Sequence, residues 1–265
     1  MMLYKYHTIN DDLKASLAEQ YVWFSAPSSF NDINDSALRL DSRYTEEEIL
    51  RELDFVRAQI YRIASMQQDY STNPLLLEAQ AQHFFSSILM DRGPEGQPDH
   101  NGRLHASVEK SLEDRRHRIG ISCYSQGNSN ELLWAHYAAA HYGLCLGIET
   151  AFDRECFQQL EQVKYVEVLP KLKLLSHMGE NLKKLYTIKS SAWSYEQEVR
   201  AFQHGFGKYR MNPRCLVNVA FGIRTREADL NEICGVVRKR YGRQVALLQM
   251  TRGAGGKLAL RALAD

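Results

Sequence analysis

The order in which strand-like and helix-like segments follow one another constrains this chain more than any single motif. Leu3 to Tyr6 and Tyr21 to Ser25 (YVWFS) are rich in strand formers, and between them Asn10 or Asp11 can cap a helix that carries Leu13 and Leu17. Strand patterns return at Ile119 to Ser125, Leu144 to Glu149, Val163 to Leu169, Tyr195 to Phe202 and Leu216 to Phe221. A hairpin of Val245 to Met250 with Lys257 to Leu263 around TRGAGG closes the series. Helices are expected over Asn130 to Tyr142, ended by Gly143, over Leu172 to Leu185 and over Glu227 to Tyr241. Strands flank helices without a regular βαβ alternation, so the pattern predicts an α+β fold with a mixed central sheet rather than a doubly wound one.

The stretch from Tyr44 to about Arg118 has a different character. Ile49, Leu53, Val56, Ile60 and Ile63 recur at three- and four-residue steps, the stripe of an amphipathic helix, and Thr45 with Glu48 forms a capping-box pattern at its start. Pro74 to Met90 and Leu104 to Arg118 read as two more helices, separated by the helix-breaking run DRGPEGQPDHNG. The expectation is one α+β domain over residues 1–265 with a helical insertion at about 44–118.

Charge and cysteine use narrow the function classes. Lys plus Arg number 33 against 32 for Asp plus Glu, so no whole-chain field draws nucleic acid or an anionic membrane. The basic clusters RRHR (Arg115 to Arg118) and RKR (Arg238 to Arg240) read as solvated helix faces. Five scattered cysteines contain no C-x-x-C pair, which points to reduced thiols and a cytoplasmic location. The first residues show no secretory pattern. Leu132 to Ile148 holds 17 residues without Asp, Glu, Lys or Arg, too short to span a bilayer and interrupted by histidines and a glycine, so no membrane association is expected.

Three segments bear chemistry. In WSYEQEVR, Trp193 to Arg200, strand alternation would put Glu196, Glu198 and Arg200 on one face. Two carboxylates and a guanidinium there could hold a sugar hydroxyl or steady a cationic transition state; the plainer reading is a solvated outer strand on which Arg200 pairs with Glu198. In NELLWAHYAAAHYG, helical spacing gathers Trp134, Tyr137 and His141 beside Leu133 and His136, either as core or as a stacking surface for a flat ligand. His136 and His141 lie five apart, the wrong spacing for paired metal ligands on a helix, and no metal is expected. The loop PSSFNDIND carries Asn31, Asp32 and Asp35, enough to orient a polar ligand but short of a calcium loop; turn chemistry explains the same residues. Cys123 with His136 could serve as nucleophile and base, although a buried unreactive cysteine is the far commoner case.

The motifs LYKY, SFND, SCYS, LLWAHY and WSYEQEVR, in this order, resemble a bacterial family known only as a domain of unknown function. The order strand, helix, strand, serine-containing loop and late Glu-x-Glu strand is also similar to the ADP-ribosyltransferase fold. That resemblance implies NAD as substrate and transfer of ADP-ribose to a protein, nucleic acid or small acceptor, in a toxin, effector or phage-defence role. It implies that Glu198 holds the ribose hydroxyl and stabilises an oxocarbenium-like state while Glu196 orients the acceptor. Tyr4, Lys5, Tyr6 and His7 would line the dinucleotide, with Ser25, Asn31, Asp32, Trp134, His136 and Tyr137 completing the cofactor site. The competing expectations are a non-catalytic sensor domain for a nucleotide or other small ligand, and a nucleic-acid-acting defence module resting on the two basic clusters.

Overall fold

The computed structural model describes residues 1–41, 44–66, 74–90, 109–110, 112–113, 118–173, 178–253 and 258–263. The chain divides into two compact units: the first comprises residues 1–36, 116–169 and 187–265, the second residues 37–115 and 170–186.

The first unit is built on an eight-stranded mixed sheet. Its strands are β1 (Met2–His7), β3 (Ile119–Ser125), β4 (Leu144–Glu149), β5 (Gln159–Gln162), β8 (Glu198–His204), β10 (Leu216–Phe221), β11 (Ala246–Arg252) and β12 (Leu258–Ala262). They lie in the order β12-β11-β10-β4-β1-β3-β8-β5, antiparallel except for the β10–β11 pair. This is the α+β architecture that the segment order predicts. Two short ribbons accompany it, β2 (Tyr21–Phe24) with β9 (Gly207–Arg210), and β6 (Lys164–Val166) parallel to β7 (Ile188–Ser190).

Each sheet face has its own cover. Helix α1 (Asp11–Glu19), whose first turn is capped by the Asn10 side chain accepting from Leu13 N at 2.9 Å, buries Leu13 and Leu17 against one face together with Leu3, Leu146 and Ile148. The helix Glu227–Tyr241 adds Ile233 and Val237 to the same core. The opposite face packs a fully buried Trp134 with Cys145, Ala220 and Met250. Its helix, Glu131–Tyr137, is shorter than the expected Asn130 to Tyr142. After Tyr137 the backbone leaves the helix, and Ala139, Ala140 and His141 follow with φ of 48°, 52° and 71°. The reversal is forced by where the chain must go next: Gly143 lies so close to β1 that a Cβ there would sit 2.1 Å from the His7 carbonyl oxygen.

In the second unit, α2 (Glu46–Met66) and α3 (Pro74–Leu89) form an antiparallel pair joined by Arg57 to Glu78 at 3.2 Å and to Gln82 at 3.2 Å. The capping box is present: Glu48 N donates to Thr45 Oγ1 at 3.2 Å and Thr45 N donates to Glu48 Oε2 at 2.9 Å. In chain order the shorter helices are therefore α4 (Glu131–Tyr137), α5 (Met178–Thr187) and α6 (Glu227–Tyr241). Helix α5 starts later than the expected Leu172, which instead bridges to Leu40. The expected helix over Leu104 to Arg118, with most of RRHR, lies largely outside the described residues.

Candidate functional site

The sheet is looser at one seam. β1 pairs with β4 along its whole length, but with β3 only at Tyr4 opposite Ser125. β3 and β8 stay in full register, with Ser125 opposite Glu198 and Cys123 opposite Arg200, so these four side chains share a face. Beside the seam lies a pocket of about 170 Å³, walled by Tyr4, Tyr6, Phe30, Tyr124 and Tyr137 and edged by Lys5, Asn31, Asp35, Lys189, Glu196 and Glu198.

Two carboxylates reach this pocket by different routes. Glu198 opens β8, but Glu196 does not stand on that strand as the alternation argument required. It ends a 3-10 turn, Ser191–Glu196, and Gln197 between the two glutamates is left-handed at φ 45°. The turn is stabilised by Asn130, whose amide donates to the Tyr195 carbonyl at 2.6 Å while its oxygen caps α4 at Leu132 N. The kink turns Glu196 back toward the pocket, and the two carboxylates meet through Lys189 on β7, which donates to Glu196 Oε2 at 2.6 Å and to Glu198 Oε2 at 3.2 Å.

Arg200 completes the cluster. It donates to Glu198 through Nε at 2.8 Å and to Asp35 through Nη1 at 2.8 Å and Nη2 at 2.6 Å, a two-pronged grip on the Asp35 carboxylate. Phe30 covers its guanidinium at 5.2 Å. Arg200 is 1% exposed and Glu198 4%, so the solvated outer strand is excluded: the strand is buried, and the Arg200–Glu198 pair with it.

The shared surroundings drive the two glutamates apart. Burial raises both, but at Glu198 the Arg200 charge and hydrogen bonds, with Lys189 behind them, outweigh it and bring the carboxyl down to about 2. At Glu196 burial wins over Lys189 and Tyr137, and the carboxyl titrates above the ordinary range. Tyr137 donates to Glu196 Oε1 at 2.6 Å and accepts from the Asn31 amide at 3.3 Å. Burial, reinforced by the Glu198 charge, raises the Cys123 thiol, which argues against a thiolate nucleophile.

Of the residues singled out from the sequence, Tyr4, Lys5, Tyr6, Asn31, Asp35, Cys123, Leu133, Tyr137, Glu196 and Glu198 line the pocket. The others do not. Asp32 accepts from Asn34 N and serves the turn. Ser25 exchanges backbone hydrogen bonds with Ile121. Trp134 is core, its indole N–H donating to the Asn128 carbonyl at 2.8 Å and its ring meeting Tyr6 edge-on. His136 is exposed beside Tyr195. His7 lines a second cavity. Lys189 was missed because a lone lysine in IKSSAW has no periodic signal. Asp35 was noticed, but among turn formers its charge carried no mark of its distant partner.

Among the described residues, no group of three or more His, Cys, Asp or Glu is arranged to hold a metal ion, and no helix is long and apolar enough to cross a membrane. No curated protein and no solved structure matches the chain. Residues 133–201, which carry most of α4, Lys189, both glutamates and Arg200, match the family model described as Protein of unknown function (DUF2971).

Proposed function

We propose that the pocket beside the β1–β3 seam takes a ribose-bearing ligand, NAD foremost, and that the protein transfers ADP-ribose from it. The observation that carries this reading is the pair of carboxylates bridged by Lys189 whose proton affinities are shifted in opposite directions, the usual sign of divided acid–base roles. Glu198, fixed as an anion, stabilises the positive charge that develops at the ribosyl carbon as the bond to nicotinamide breaks and nicotinamide leaves neutral. Glu196, with its raised proton affinity, accepts the proton of the acceptor as the acceptor oxygen or nitrogen bonds to that carbon. Tyr4, Tyr6 and Tyr137 supply flat walls for a ring.

A second reading, binding without turnover, draws on the saturation of Glu198, both of whose oxygens already accept from Arg200. Calorimetric titration with NAD and chromatographic detection of nicotinamide separate the two. Binding with release supports transfer, binding without release supports a sensor, and the absence of both overturns the NAD assignment.

A further inference from the structure

A second and larger cavity, about 630 Å³, lies in the first unit and shares Lys5, Tyr6, Tyr124 and Tyr137 with the first pocket. It is far larger than the voids that close packing leaves and within the range of small-molecule sites. Its depth is apolar, walled by Leu13, Leu17, Leu146 and Leu216 from α1, β4 and β10. A nucleotide would leave polar edges unpaired against such walls. Polar side chains line much of the rest, among them five tyrosines and Thr8. Asn10 and Ser16 are engaged by their own helix and by Tyr21, Asp12 is exposed, and Lys208 pairs with Glu19 at 3.1 Å.

Lys5 is different. Its ammonium donates to Ser122 Oγ at 3.0 Å and to the Cys123 carbonyl at 3.0 Å, both neutral, and lies 4.9 Å from the Tyr124 ring. No ion pair joins it to a carboxylate among the described residues, and one N–H remains for another acceptor. Burial lowers its affinity for a proton. Two residues along β1, His7 lines the same cavity; burial, then the Lys5 charge, lowers it to about 3, so it stays neutral with one N–H to donate.

We propose that this cavity binds a medium-chain aliphatic carboxylate, its chain along the leucines of α1, β4 and β10 and its head group received by Lys5 and His7. A half-buried cation that makes no direct ion pair among the described residues, at the polar end of an apolar chamber, is complementary to that amphipathic anion and to neither a hydrocarbon nor a sugar. The two pockets share side chains, but the ligand is read directly with no nucleotide present, so failure of the NAD reading and failure of this one are distinguishable.

The test uses the full chain and displacement of a dansyl-labelled aliphatic acid, with decanoate and decanol as competitors. The expected result is saturable displacement in which decanoate binds about tenfold or more tighter than decanol. Lys5→Met abolishes that preference while keeping decanol binding, and Ala15→Trp, which fills the chamber from α1, weakens both. Should a variant fail to fold, the decanoate–decanol comparison in the unaltered chain still decides. Equal affinity for the two, no displacement at all, or a carboxylate preference that survives in folded Lys5→Met overturns the proposal.

Discussion

Arg200 is the residue on which the buried charge of the first unit depends, because it neutralises Asp35 and Glu198 at once in a site with 1% exposure. Replacing it by Met leaves Lys189, already paired with Glu196, to serve both buried carboxylates, and urea denaturation should show a loss of about 3–5 kcal/mol. Glu198→Gln should cost far less, since Arg200 keeps its two-pronged contact with Asp35. Equal losses in the two variants would show that the cluster does not rest on Arg200. The pH dependence follows from the same groups. A carboxyl depressed to about 2 contributes stability that is present above its unfolded value, near 4.5, and lost as pH falls toward 2. Glu52 on α2 runs the other way. It is 5% exposed, and burial raises it to about 7, so its contribution is best at low pH and is lost as pH rises through about 7. Glu52→Gln should therefore slow amide exchange in α2 at pH near 8 and leave it unchanged at pH near 5, after correction for the intrinsic rate. An equal effect at both values would contradict the burial argument.

At the level of elements, strands β1, β3, β4 and β10 and helix α6 were legible in the sequence because β-branched and aromatic runs bounded by turn residues, or an uninterrupted helical pattern, carry their own signal. Helix α4 was not, because its end is set by tertiary contacts. Alanines 138 to 140 favour helix, yet the chain must turn there to lay Gly143 against His7. β5 was missed since QLEQ is a polar edge segment with no strand-forming run. The left-handed Ala140 gives a direct check. It is exposed and strained at φ 52°, so Ala140→Gly should stabilise the first unit by up to about 1 kcal/mol. A lower melting temperature would show that the turn is not held in that conformation. In the second unit, Thr45→Ala should cost about 1 kcal/mol, read as faster exchange in the first turn of α2, by removing the acceptor for Glu48 N.

At the scale of the whole molecule, the segment order was enough for the α+β class, and β1, β3 and β8 do lie side by side in one sheet. The site was legible only in part. Residue types pointed to Glu196 and Glu198, but the geometry offered for them, a shared strand face, fails at the left-handed Gln197. Of the partners that set their charge, Asp35 comes from a segment far away in sequence, and Lys189 from the short strand β7 on the other side of the 3-10 turn. Spacing along one strand does not encode such convergence; it arises when the sheet brings β8 beside β3 while β7 and the Phe30 loop deliver their side chains to it. The account stands on the division of roles between the two carboxylates. Its most direct test is nicotinamide release from NAD by the unaltered chain and by Glu198→Gln at matched folded fraction. The account predicts release by the former and a fall of about two to three orders of magnitude in the latter, with NAD affinity retained. Release at equal rates, or by neither, would contradict it.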